Sequence, residues 1–226
     1  MRVLLDLFCG RWGWSREFAK RGWTCIGVDL TQPPEVPEGC QFIMADVLGL
    51  TKGIILHRLC ADAIVASSPC EEFSVHGMKH FHPHPKYPAS GIRLFEHTRS
   101  LCESAGVPYV MENVRAAQQF VGNAVHHCGP FYLWGSAVPP LMPQGITKAQ
   151  AAHGMAGGWL SGSAVKRLSP IERKEYRDKC EYGKLGGGSK KRKAATARVA
   201  TILPELANCV AEYFERVLET RVQCTA

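Results

Sequence analysis

The sequence predicts an open α/β fold: a mostly parallel, doubly wound sheet, with a small basic insertion ahead of a C-terminal helix. Three observations carry that expectation. Short apolar runs of strand length recur along the first half of the chain. They are followed by Asp6, Asp29, Asp46 and Cys70, polar groups at the strand ends where open α/β sheets collect ligands. Between several of them lie amphipathic stretches suited to crossover helices, which parallel strands require.

The chain has 226 residues, 46% hydrophobic and 21% charged, enough for one large domain or a domain with a small appendage. No apolar run approaches the length of a membrane span. Met1 to Asp6 enters a strand directly, so no leader is expected. The 10 cysteines are scattered, with no Cys-x-x-Cys pair, which favours reduced thiols in a cytoplasm. The net charge is +7, and Lys166 to Lys193 alone holds 11 basic against 4 acidic residues. The rest of the chain balances. A neutral body with one basic segment suits a polyanion such as nucleic acid, or is a solvated helix with a lysine-rich loop.

In chain order, Arg2 to Leu7 reads as the first strand. Phe8-Cys9-Gly10-Arg11-Trp12-Gly13-Trp14 is a glycine turn, and Ser15 to Lys20 an amphipathic helix. Such a turn cradles nucleotide-like cofactors, with Gly10 and Gly13 permitting close backbone approach. Trp23 to Val28 is the second strand. Asp29 at its tip either accepts hydrogen bonds from ribose hydroxyls or caps a turn. Gln32 to Gly39 is a proline-rich loop. Gln41 to Met44 is a third strand, after which Asp46 either bonds a cofactor amino group or caps the turn. Thr51 to Arg58 is expected to be a helix.

Ala61 to Val65 is a buried strand leading into Ala66-Ser67-Ser68-Pro69-Cys70-Glu71-Glu72-Phe73-Ser74. Pro69 stiffens the backbone before Cys70. Cys70 is a candidate nucleophile, or a structural loop cysteine. Four histidines follow between Val75 and Pro88. Two prolines interrupt them and no cysteine joins them, so no metal site is expected. The segment reads instead as a mobile, basic, aromatic loop carrying His76, Lys79 and His80, suited to closing over phosphates.

Ile92 to Ala105 is a helix ended by Gly106. Val107 to Arg115 is the next strand signal. It places Glu112 and Cys70 on neighbouring strand tips facing one crevice, where Glu112 could hold a proton for a base ring nitrogen or serve structure alone. Pro130 to Gly135 is a late strand. Ser136 to Val165 shows little periodicity. Ser169-Pro170-Ile171-Glu172 is a capping box opening a charged helix to about Tyr182. A Gly186 to Ser189 joint precedes Lys190, Lys191, Arg192 and Lys193. Ala194 to Leu203 and Pro204 to Thr220 form a final amphipathic helical region. The expected division is 1–135 for the core, 136–193 for a basic recognition region, and 194–226 for a helix returning to the core.

Together these motifs resemble the C5-cytosine DNA methyltransferases. Asp6-Leu7-Phe8-Cys9-Gly10 is similar to that family's opening motif, Pro69-Cys70 with Phe73-Ser74 to its nucleophile motif, and Glu112-Asn113-Val114 to its second catalytic motif. The resemblance covers about half the chain firmly, through Val114. It implies a Rossmann-like class I methyltransferase fold using S-adenosylmethionine held by Asp6, Phe8, Gly10, Gly13, Asp29, Leu30, Asp46, Val47 and Pro69. It further implies that Cys70 attacks cytosine C6 and that Glu112 serves N3. DNA would be bound by His76, Lys79, His80, Arg115 and Lys190 to Lys193.

The chain departs from the family's pattern in four respects. Trp12 stands where glycine is usual and Glu71 where glutamine is usual. No Gln-x-Arg-x-Arg motif precedes the late strand; His126, His127 and Arg115 are the nearest substitutes. The recognition region is very small, as in short methyltransferases of bacteriophages. A monomer in the cytoplasm of a bacterial or phage-infected cell, recognising a short or relaxed sequence, would follow. The same fold acting on RNA or a free pyrimidine nucleotide, or a non-catalytic nucleic-acid-binding protein, are the alternatives.

Overall fold

The computed structural model describes residues 1–77, 83–84, 86–146, 169–172, 174 and 201–225. The chain divides into two compact units, residues 1–144 with 203–226, and residues 145–202. The first unit is built on a seven-stranded sheet. Its strands are β1 (Val3–Leu7), β2 (Thr24–Asp29), β3 (Cys40–Met44), β4 (Ala63–Ser67), β5 (Tyr109–Asn113), β6 (His126–Cys128) and β7 (Phe131–Trp134). Their order is β3-β2-β1-β4-β5-β7-β6. Strands β1 to β5 pair in parallel, and β7 runs antiparallel to both β5 and β6. The order reverses between β1 and β4, so a crevice lies beyond their carboxyl ends.

Residues alternate across the sheet, and each set has its own cover. Leu5, Leu7, Ile26, Val28, Ile64, Ala66 and Met111 share a core with Phe95 and Leu101 of helix α3 (Ala89–Ala105). On the other face Asp6 and Cys25 bond Ser15 at the start of helix α1 (Ser15–Lys20). The last helix, Pro204–Thr225, docks over α1. Phe18 meets Phe214 edge-on at 5.9 Å, and Arg21 and Trp23 both bond the Glu215 carboxylate. The Arg21 guanidinium holds that carboxyl below its usual range.

Several boundaries differ from the sequence expectation, each for a tertiary reason. The fourth strand runs from Ala63 to Ser67, two residues later than expected. Asp62 Oδ2 takes the Val3 N–H at 2.7 Å, and Cys60 before it turns with φ 50°. The helix expected over 51–58 becomes a π-turn at Ile54–Arg58, closed by Leu59 N donating to Ile54 O. Helix α3 begins three residues early, where Glu72 Oε2, from the helix at Glu71–Gly77, accepts the Gly91 N–H at 2.6 Å. Strand β6 was not expected; three residues carry too little pattern to read. The final helix starts at Pro204, suited to a first helical position, and Thr201–Leu203 is not helical. In the second unit, Ser169 and Glu172 exchange the reciprocal bonds of a capping box, at 2.7 and 3.3 Å. Residues 175–200 lie outside the described residues. Among the described residues no helix is long and apolar enough to cross a membrane.

The glycine turn shows how a departure in sequence is absorbed. The left-handed residue after Gly10 is Trp12, with φ 63°, and not Gly13. Its indole is fully buried and donates to Glu35 O at 2.9 Å. The ring lies over Gly27 of β2, where an added Cβ would overlap it and approach Cys9 Sγ to 2.8 Å. The indole fills the space that Gly27 leaves open. Gly27→Ala should therefore destabilise the fold by about 2–3 kcal/mol, the scale of overpacking. An unchanged urea midpoint would show that the indole shifts at no cost.

Candidate active site

At the end of β1, the Phe8 and Cys9 amides both donate to Val28 O, at 2.8 and 3.2 Å. This folds the turn over the end of β2. Phe8 takes φ 62° there and stays partly exposed. Gly10 N then donates to Asp29 Oδ2 at 3.1 Å, while Thr31 N donates to Asp29 Oδ1 at 3.0 Å. Asp29 thus fastens the glycine turn to the tip of β2. Each of its oxygens keeps a second lone pair for another donor. Leu30 beside it is 68% exposed.

Asp46 is exposed and caps the 3₁₀ turn Val47–Gly49 through Leu48 N at 2.9 Å. The Val47 side chain is buried in the core, so its backbone is what it offers a ligand. Asp6 lies beneath the turn. Its Oδ2 accepts from Ser15 Oγ at 2.6 Å, and its Oδ1 is buried with no hydrogen-bond partner in the structure. Burial pushes this carboxyl up to about 7.

Strands β4 and β5 are neighbours, with Ser67 opposite Glu112. Beyond Ser67 the chain passes Ser68 and exposed Pro69 to Cys70. Helix α2 (Glu71–Gly77) follows immediately; from the sequence no helix is expected here, and a loop is expected from Val75 onward. The Cys70 carbonyl accepts Ser74 N at 2.8 Å, and buried Phe73 anchors the helix. His76, expected in a free loop, sits in its last turn. His76 Nε2 bonds Lys86 O at 2.7 Å, and its ring packs on Phe120 at 5.0 Å.

Asn113 is fully buried at the end of β5. Its Nδ2 donates to both Ser68 O and Ser68 Oγ at 3.0 Å, and its Oδ1 accepts Val114 N at 2.8 Å. This side chain ties the strand carrying Glu112 to the turn carrying Cys70. Glu112 is partly buried, and desolvation raises its carboxyl to about 7, with a Ser67 hydrogen bond pulling the other way. The Cys70 thiol is also raised, first by burial and then by the nearby Glu112 charge; a Ser74 hydrogen bond opposes this. A protonated Glu112 therefore favours the thiolate. Trp14, 2% exposed, donates its indole N–H to Ser67 Oγ at 3.0 Å.

The structure thus brings Asp6, Phe8, Gly10, Asp29, Asp46, Pro69, Cys70 and Glu112 to one end of the sheet. Arg115 is exposed in the 3₁₀ turn just past β5. Lys79, His80 and Lys190 to Lys193 lie outside the described residues. Sequence reasoning passed over Trp14, Ser67, Ser68 and the role of Asn113; the Ser-Ser pair before Pro69 was the available signal. Among the described residues no group of three His, Cys, Asp or Glu is arranged to hold a metal ion.

No family model matches the chain, and no curated protein matches it. Among solved structures it resembles a candidate DNA modification methyltransferase encoded within prophage Cp of E. coli. That likeness has 13% identity and a TM-score of 0.52, over 97% of this chain and 100% of that one. It is similar also to Spodoptera frugiperda DNMT2, at 11% identity and TM-score 0.45 over 97% of this chain and 100% of that one. A Burkholderia thailandensis 1,6-didemethyltoxoflavin-N1-methyltransferase with bound 1,6-didemethyltoxoflavin and S-adenosylhomocysteine matches at 16% identity and TM-score 0.31, over 58% of this chain and 53% of that one. The first likeness, with the observed strand order, shows a Rossmann-like α/β methyltransferase fold.

Proposed function

We propose that this protein transfers a methyl group from S-adenosylmethionine to C5 of cytosine in DNA through a covalent Cys70 adduct. The observation that carries the reading is the Cys70–Ser68–Asn113–Glu112 constellation, which ties a thiol and a near-neutral carboxyl to adjacent strand ends. The residues present fit the methyl donor. Asp29 keeps free lone pairs at an exposed rim. Gly10, with φ 45°, has only Phe8 O within 4 Å of an added Cβ, at 3.7 Å, so its outer side is open. Asp6 Oδ1 is an orphaned polar atom beneath the same turn. When bound, the donor supplies an electrophilic methyl group.

Cytosine C5 is a poor nucleophile. The Cys70 thiolate adds to C6, forming a carbon–sulfur bond and pushing electrons toward C5. Glu112 gives its proton or a hydrogen bond to N3, which stabilises the adduct. After C5 is methylated, a base, water at the simplest, takes the C5 proton; the C5–C6 double bond reforms, the C6–sulfur bond breaks, and Cys70 leaves as the thiolate. The base must leave the duplex to reach this pocket. Duplex DNA, RNA and free nucleotide carrying 5-fluorocytosine test the reading, because fluorine blocks the last step and traps the adduct. A stable adduct with DNA alone supports it; trapping with RNA or nucleotide alone reassigns the substrate, and no adduct overturns it.

The rate should depend on pH through Glu112. Its proton is present below about 7, so donation to N3 declines as pH rises past that value, while the Cys70 thiolate fraction grows. Because the Cys70 thiol is raised from its ordinary value, the two changes offset above 7: the rate rises to a break near 7, set by Glu112, and falls only once the thiol itself has ionised. Glu112→Gln should be slow and should lose the break near 7; a break unchanged in Glu112→Gln assigns it to another group. Asp29→Ala should weaken donor binding by about 1–3 kcal/mol, because hydroxyl partners are left unpaired and the glycine turn is unfastened. Calorimetry giving equal affinity would remove Asp29 from the donor site.

A further inference from the structure

Ser67 has one hydroxyl proton to give and two lone pairs to offer. The Trp14 indole can only donate, and it claims one lone pair at 3.0 Å. Trp14 is buried, which holds that donor in place. Ser67 and Glu112 are register partners on parallel strands, so both side chains leave the same face of the sheet. With one lone pair taken by the indole, the hydroxyl keeps its proton to give to an acceptor on that face.

We propose that Trp14 and Ser67 form a relay that presents the Ser67 hydroxyl proton to Glu112, making both of them positioning residues for that carboxyl. The proposal deepens the methyl-transfer reading, which supplies the role of Glu112. The surroundings leave the relay as the main polar influence. From β7 the register partner of Glu112 is apolar Leu133, and from β4 it is Ser67 itself. Cys70, beyond β4, is the titratable group coupled to it. Burial raises the Glu112 carboxyl, and the Ser67 hydroxyl works against that rise. A directed hydroxyl donor stabilises the anion and brings the carboxyl back toward neutrality, where it can both hold and release a proton. In the resemblance drawn from sequence, neither Trp14 nor Ser67 had a place.

The test is the titration of Glu112 in the isolated protein, by carbon NMR of ¹³C-carboxyl-labelled glutamate, with the signal assigned by its loss in Glu112→Gln. Ser67→Ala should raise the midpoint by about one unit, the scale of one hydrogen bond. Trp14→Phe, which keeps the ring packing, should raise it less. The double variant should match Ser67→Ala, because the indole acts only through the hydroxyl. Ser67→Thr should restore the wild-type midpoint and provides a folded control. The break near 7 in the transfer rate should move with the midpoint. An unmoved midpoint in Ser67→Ala, or additive shifts in the double variant, overturns the relay. The NMR titration needs no substrate, so absence of methyl transfer would count against the proposed reaction and leave the relay standing.

Discussion

Cys70→Ala is expected to abolish methyl transfer, by about 10⁴-fold or more, the scale seen when a covalent nucleophile is removed. It should also abolish the 5-fluorocytosine adduct. Donor binding should stay near wild type, because Asp29, Gly10 and the glycine turn do not depend on the thiol. The fold should persist: Cys70 is only partly buried, and its backbone carbonyl, not its sulfur, accepts the Ser74 amide that opens α2. The comparison is direct. Single-turnover transfer and adduct formation are measured beside calorimetric affinity for the donor in the same preparation. Substantial turnover by Cys70→Ala would end the covalent mechanism, while loss of donor affinity would mean that the thiol shapes the cofactor site.

The second large effect is expected at Asn113, which touches neither reactant in the proposed mechanism. Asn113→Ala leaves Ser68 O, Ser68 Oγ and Val114 N without their partner in a buried place. That should cost about 2–4 kcal/mol of stability, because unsatisfied buried groups keep their full desolvation penalty. The Ser68–Pro69–Cys70 turn loses its tie to β5, and a misplacement of about 1 Å at the reacting sulfur would lower the rate by about 10²-fold. Asn113→Asp is the sharper probe. It keeps an acceptor for Val114 N but gives Ser68 no donor, and it adds a charge against the Ser68 carbonyl in a buried place. Denaturant unfolding and the rate of adduct formation, measured for both variants, separate the effects. Full stability in Asn113→Ala would show that the turn is held by other means.

Much of the fold was legible because apolar strand runs and glycine turns are local signals. The first helix, Ser15–Lys20, and the strand beginnings near Val3, Thr24 and Cys40 fall within a residue or so of where the pattern placed them. The parallel, doubly wound arrangement also followed from order alone, since parallel strands need long crossovers. Where the pattern misled, a distant partner had intervened. Glu72 of α2 bonds the first turn of α3, which begins earlier than the pattern shows, and Asp62 delays β4 by bonding Val3.

The sequence by itself determined which groups stand at the ends of the strands: Asp6, Asp29, Asp46, Cys70 and Glu112 follow from where apolar runs stop. It also determined that the excess positive charge lies in one segment. Only the tertiary structure decided what those groups do to one another. Strand neighbours β4 and β5 are separated by more than forty residues of chain, so the Ser67–Glu112 pairing, the Asn113 tie to Ser68 and the Trp14 bond to Ser67 have no local signature. The same holds for Trp12, whose left-handed turn is possible because Gly27, on another strand, has no side chain to meet its ring. Periodicity records which face a residue takes; the partner it meets there depends on sheet order and register, and these depend on the whole chain.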